Sequence, residues 1–239
     1  MNKDTPMKPK NSSIVITILI LLFLFLAVRY GFTVVRIEEA EQLVQDETFD
    51  PVAYVESIWE SKMLPAYNEN SEELSQILSK MELDSNGTVP KDDLITIADK
   101  YGLITVGEAH VYMIKGSGEI VSVNTETSLG TIEVALDCYD GPVKTLIYIG
   151  PRIPSDETSV RDAVGFISFG DFREQTEYGK AASEINKHIL ETTLEGIDKD
   201  NLVGKTITFN GAFTIRTFNL VQIDVNEIRI VPVEIELGE

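Results

Sequence analysis

The sequence predicts an α+β chain: an N-terminal transmembrane helix, a helical segment, then an OB-like β-barrel or sandwich carrying one long helix. Three observations predict it. Residues 14–28 form an apolar run broken by a single threonine. Residues 50–102 place apolar side chains at helical spacing. From about residue 104 the apolar period changes to two, with one further helical stretch inside it. The organisation expected is a cytoplasmic tail at 1–11, an anchor at 12–35, a connector and helical segment at 36–103, and a β-rich domain at 104–239.

The anchor reads IVITILILLFLFLAV from Ile14 to Val28, with Thr17 its one polar residue. Counted from Ser12 to Tyr30 it holds about 19 residues, roughly 28 Å of helix, which matches the hydrocarbon thickness of a bilayer. Arg29 can snorkel at its far edge and Tyr30 can lie in the interface. No small-x-small cleavage site follows in Leu26-Ala27-Val28-Arg29-Tyr30-Gly31, so the segment is expected to stay attached. Lys3, Lys8 and Lys10 precede the span, and the acidic Glu38-Glu39-Ala40-Glu41 follows it. The expected arrangement is single-pass in the cell membrane, N-terminus in, with the C-terminal domain periplasmic or extracellular.

Asp50 then offers an N-cap with Pro51 at the first helical position, and Val52, Val55, Trp59 and Met63 recur until Pro65 stops the helix. Ser71 can cap a second helix, with Glu72 and Glu73 in its first turn and Leu74, Ile77, Leu78 and Met81 inside. Pro90 opens a third, with Leu94, Ile97 and Tyr101 inward and Gly102 at its end. Val106–Lys115 and Glu119–Thr127 read as a strand pair joined by a hairpin at Gly116-Ser117-Gly118. Thr131–Leu136 and Thr145–Ile149 continue the sheet. After a long loop from Gly150 to Ser159, Asp171 caps a helix with Tyr178, Ala181, Ala182, Ile185 and Ile189 inward. Lys205–Asn210, Ala212–Phe218 and Ile228–Leu237 complete the strands. Strands, one helix, then strands again is the order of a partly open OB-like barrel.

Charge and motif content exclude several functions. The net charge is −19, and the first 36 residues are themselves basic, so the remainder is more acidic still. Such a surface repels nucleic acid, whose binding depends on neutralising phosphates. There is one cysteine, Cys138, so no intrachain disulfide forms; it ends a strand in Leu136-Asp137-Cys138-Tyr139, where passive packing is expected. The two histidines, His110 and His188, sit in no nucleophile or metal motif, and a structural role is expected for both. Asp84-Ser85-Asn86-Gly87-Thr88 begins like a calcium loop. Val89 stands where the glycine should be and Ile95 where the bidentate glutamate should be, so a tight turn is expected instead. No catalytic residue, metal or cofactor is assigned.

The most distinctive stretch is GPRIPSDETSVRDAVGFISFGDF, residues 150–172, with two arginines, four acids and apolar residues between. Arg152, Arg161 and Asp162 are the candidate ligand-binding residues. The alternative is a salt-bridge network that pins the loop to the barrel, with Arg161 reaching Asp156, Glu157 or Asp171. If 161–162 is extended, the two side chains point to opposite faces and serve different partners.

A resemblance runs through most of residues 34–235. It is carried by Val34-Val35-Arg36, Phe49-Asp50 with Ile58-Trp59 and Pro65, Lys100-Tyr101-Gly102, Lys115-Gly116-Ser117-Gly118 and Ile149-Gly150-Pro151-Arg152. It continues in Arg161-Asp162-Ala163, Phe166-Ile167-Ser168-Phe169, Asp171-Phe172, Leu202-Val203-Gly204-Lys205 and Gly211-Ala212-Phe213. On these residues the chain resembles DUF2291, a bacterial family of predicted periplasmic lipoproteins without an established activity. The resemblance implies an extracytoplasmic, membrane-tethered protein associated with a sugar ABC-transport system. It departs at the tether. Members commonly carry a lipid-modified cysteine before the Val-Val-Arg-like stretch, and residues 29–33 contain none, so the helix itself is expected to hold the protein. The expected function is a membrane-anchored accessory or binding module; the alternative is a small-ligand receptor using the 150–172 loop, with an enzyme a third reading.

Overall fold

The computed structural model of the chain describes residues 11–30, 49–105 and 107–238. The expected tail before residue 11, the end of the anchor with Val34-Val35-Arg36, the connector through residue 48, and Val106 lie outside these. The chain divides into two units, residues 1–49 and 50–239.

In the first unit, helix α1 runs Asn11–Tyr30 over 20 residues. Its described side chains are 15–26 and Arg29, and those from Val15 to Leu26 are exposed. Among the described residues no helix is long and apolar enough to cross a membrane. The expected span therefore rests on the apolar sequence of 14–28.

The second unit opens as predicted. Asp50 Oδ1 accepts the N–H groups of Val52 at 3.0 Å and Ala53 at 3.2 Å, with Pro51 in the first turn of α2, Pro51–Ile58. Pro65 does not stop the helix. A π-helical turn, Trp59–Met63, intervenes, and α3 continues from Leu64 to Asn70. Proline lacks an N–H and crowds the carbonyl four residues back. The extra residue in the π turn, closed by Leu64 N–H on the Trp59 carbonyl, gives Pro65 that room. Ser71 caps nothing. Glu72–Glu73 form a short strand, β1, and α4 follows at Leu74–Leu78 with Leu74, Ile77 and Leu78 buried as expected. Asp84 and Gly87 make the predicted tight turn: Asp84 Oδ1 accepts the N–H groups of Asn86 and Thr88. β2, Thr88–Pro90, leads into α5, Lys91–Tyr101, and β3, Leu103–Thr105. Between them Gly102 ends α5 in extended backbone, where a Cβ would sit 2.6 Å from the Val111 carbonyl oxygen.

The expected hairpin at 116–118 is absent. One strand, β4, runs unbroken from Ala109 to Asn124. It is followed by β5, Thr131–Leu136, and β6, Lys144–Tyr148. Then come α6, Ser159–Ala163; α7, Gln175–Thr192; β7, Thr206–Arg216; β8, Gln222–Asp224; and β9, Glu227–Leu237. The two strands expected at 205–218 are thus a single β7, bulged against β9 at Asn210/Gly211, opposite Pro232.

The five long strands close on themselves. β4 pairs antiparallel with β5, β5 with β6, β6 parallel with β9, β9 antiparallel with β7, and β7 antiparallel with β4. Closure explains β4. Its residues 109–119 pair with β7 and its residues 118–124 pair with β5, so the middle of the strand turns the corner of the barrel. A Cβ at Gly118 would fall on the Ala135 carbonyl, and one at Gly116 would meet the Phe209 ring at 3.0 Å. Glycine here permits backbone approach, not reversal.

Both faces of the barrel wall are covered. Tyr112, Ile114, Ile120, Ile132, Ile147, Phe209, Phe213 and Ile230 fill one cluster with residues of α4 and α5. The alternate residues Val111, Met113, Ala212, Val231 and Val233 pack outside, against Val55, Trp59, Met63 and Tyr67 of the N-terminal helices and Ile185 and Ile189 of α7. Trp59 is buried there, its ring 4.4 Å from that of His188 on α7.

Candidate functional site

Arg161 and Asp162 lie on the short helix α6, not on a strand, and they bond each other. Arg161 donates from Nε at 2.8 Å and Nη2 at 2.7 Å to Asp162 Oδ1. Its Nη1 donates to the Tyr178 carbonyl at 3.0 Å, and its guanidinium lies 3.5 Å from the centroid of the Tyr178 ring. Asp162 also accepts from the Tyr178 hydroxyl at 3.1 Å and from Thr158 Oγ1 at 2.7 Å. The side chains are only 7% and 13% exposed. Adjacent residues can meet because a single helical turn, unlike a strand, does not send them to opposite faces. The expectation of separate partners, and of Asp156, Glu157 or Asp171 as the partner of Arg161, is corrected accordingly. Burial first, and the Asp162 carboxylate second, push the Tyr178 phenol upward. The group clamps α6 to α7, two elements separate in sequence.

Arg152 does not join it. It is exposed, and among the described residues it makes no hydrogen bond or ion pair. Asp171 is spent on a local capping box: its carboxylate accepts from the Ser168 N–H and hydroxyl, each at 2.9 Å, which holds its pKa below the usual value. It does not cap α7, whose N-cap is Glu174 with no side-chain bond. His110 is fully buried, with Nε2 3.4 Å from Thr217 Oγ1 and Nδ1 unpartnered. Burial, and then Lys91, lower its pKa. Cys138 is exposed in a turn at φ 60°, so packing is not its role. Among the described residues no group of His, Cys, Asp or Glu side chains could hold a metal ion.

The structure opens a polar cavity of about 240 Å³ elsewhere, at the end of the barrel where β6 and β9 run parallel. Tyr148, Glu157, Thr214, Arg216, Asp224, Glu227 and Arg229 supply its polar lining. Within it, Glu227 Oε1 accepts from Arg229 Nε at 3.0 Å and Nη2 at 2.7 Å, which closes that pair. Burial pushes the Tyr148 phenol upward, and the adjacent Arg229 opposes this. Arg216 donates from Nη2 to the Asp156 carbonyl at 3.1 Å and among the described residues has no carboxylate partner. Of the 150–172 stretch, therefore, Glu157 rims a cavity while the named candidates do not. Sequence reasoning missed this group because its members come from four segments, and no spacing within any one of them marks the site.

Among curated proteins no match is found. Among solved structures, the crystal structure of an OB-fold protein from Thermotoga maritima is similar over 80% of this chain and 99% of its own, at 19% identity and a TM-score of 0.58. That likeness agrees with the closed five-stranded topology and bears on the fold alone. Residues 19–236 match the family described as predicted periplasmic lipoprotein, DUF2291. The chain belongs to that family.

Proposed function

We propose that this chain is a membrane-tethered, extracytoplasmic accessory or binding module without catalysis of its own, held by its apolar N-terminal segment. The observation that carries the reading is the apolar sequence of residues 14–28. The side chains from Val15 to Leu26 are exposed, and Arg29 follows the run. The family's description as predicted periplasmic lipoprotein supports the side of the membrane. The missing cysteine in 29–33 favours the helix over a lipid as the tether. Membrane fractionation tests this. The full 26.6 kDa chain should stay in the membrane through high salt and alkaline carbonate, and protease added outside should reach the barrel. A soluble form starting near residue 30, or a barrel protected from external protease, refutes it.

The partner proposed is a component of a sugar ABC-transport system, supported by the family resemblance alone. Crosslinking in intact membranes, then purification in detergent, should recover a transporter subunit; recovery of none sinks that part. Nucleic acid is not a partner, on a net charge of −19. A second reading, a small-ligand receptor, is favoured by the polar cavity at the barrel end, since Arg161 and Asp162 are already committed to each other.

A further inference from the structure

We infer that the cavity at the β6–β9 end of the barrel is a binding site for a small zwitterion, a molecule carrying both an anionic group and an ammonium group. The inference deepens the binding-module reading and rests on it only in treating the unit as a binder. The argument is a balance of committed and uncommitted groups. Arg229 and Glu227 neutralise each other. Glu157 spends Oε1 on the Ser159 N–H, and Asp224 spends Oδ1 on the Asn226 N–H and side-chain amide. One guanidinium and three carboxylate oxygens, on Glu157, Asp224 and Glu227, remain. Arg216 keeps donors beyond its single bond to the Asp156 carbonyl, and among the described residues it has no ion pair, in a chain with 39 acids against 20 basic residues.

The sign of the guest follows. A simple anion would suit Arg216 but face Glu157, Asp224 and the acidic surface around them. A simple cation would suit the carboxylates and leave Arg216 unpaired. A zwitterion meets both ends: its anionic group on Arg216, its ammonium on the free oxygens of Glu157 and Asp224. The volume of 240 Å³ falls below the roughly 300–1,000 Å³ of drug-sized sites, so the ligand is of amino-acid size.

Calorimetric titration of the full chain in nanodiscs tests this with four probes: glutamine and glycine betaine as zwitterions, putrescine as a cation, and inorganic phosphate as an anion. At least one zwitterion should bind saturably, and putrescine and phosphate should each bind at least tenfold more weakly. Arg216→Met and Asp224→Asn should each weaken binding at least tenfold, with thermal melts confirming that each variant is folded. Arg216→Lys should recover part of the loss, because it keeps charge at the anionic end. No saturable binding of either zwitterion up to 10-fold above the millimolar range, equal binding of phosphate or putrescine, or wild-type binding by folded Arg216→Met overturns the proposal. Membrane retention is read on the same preparations, so failure of the tether and failure of the site are told apart.

Discussion

Removing the Arg161 side chain should unfasten α6 from α7 and destabilise the barrel unit by about 3–5 kcal/mol. The guanidinium makes two charge-assisted bonds to Asp162 Oδ1 and one to the Tyr178 carbonyl, and it covers the Tyr178 ring. Arg161→Ala cuts all of them and leaves a carboxylate 13% exposed without its countercharge. Asp162 keeps the hydroxyls of Thr158 and Tyr178, so the loss should fall near the lower end of that range. Arg161→Lys can restore the charge. It cannot restore the paired Nε and Nη2 geometry or the flat contact with the ring, so recovery should be partial. Asp162→Asn keeps the shape and an acceptor oxygen but leaves the buried Arg161 guanidinium without its countercharge, so it too should destabilise. Urea melts of the full chain in detergent, followed by circular dichroism, measure all three. A midpoint for Arg161→Ala that corresponds to a change within about 0.5 kcal/mol, the ordinary surface value, would refute the clamp and return Arg161 to the candidate ligand-binding residues.

Three further outcomes are expected. Trp59→Ala should cost about 3–5 kcal/mol, since the indole is 5% exposed between the N-terminal helices, α7 and the outer wall of the barrel; a red-shifted, freely quenched tryptophan emission in the folded wild type would contradict that placement. Gly118→Ala should destabilise by about 1–3 kcal/mol or more by driving a methyl into the Ala135 carbonyl, whereas Gly116→Ala meets only the movable Phe209 ring and should cost less; equal melts for the two would show that 118 is not a corner. The lowered pKa of His110 means that the unfolded chain takes up its proton first as pH falls. Its stabilising contribution is therefore complete above the unfolded value of about 6.5 and is lost as pH drops below it toward the folded value. The urea midpoint should fall between pH 7.5 and 5.5 by more in wild type than in His110→Gln, and an identical fall in both would exclude the buried imidazole as the cause.

Much of the fold was legible because its signals are local. The Asp50-Pro51 cap, the stripe from Val55 to Met63, the buried faces of α4, α5 and α7, the Asp84 turn and strands β5 and β6 each follow from spacing within one segment. The misreadings share a different origin. Gly116-Ser117-Gly118 carries the composition of a hairpin and serves as the corner of a strand, because β4 must pair with β7 on one side and β5 on the other. Pro65 carries a stop signal and is passed by a π turn, because Trp59, Met63 and Tyr67 on both sides of it are held by the same buried cluster. Glu72 and Glu73 look like the first turn of a helix and become a strand, because Ile114 and Lys115 offer an edge to pair with.

The sites divide along the same line. Charge set the expectation of no nucleic-acid partner, spacing offered no metal or triad motif, and the run of 14–28 set the expectation of a tether. The sequence also marked 150–172 as unusual and named Arg161 and Asp162 there. Only the tertiary structure decided that these two face each other over Tyr178, that Arg152 stands apart, and that Arg216, Thr214, Glu157 and Asp224 converge at the barrel end. The physical reason is range. Caps, turns and amphipathic faces depend on neighbours within a few residues, and a sequence prints those neighbours in order. A guanidinium's partner, or a hydroxyl left without one, is set by barrel closure, which brings residues 157, 214 and 224 to one cavity and leaves no trace in the spacing of any single segment.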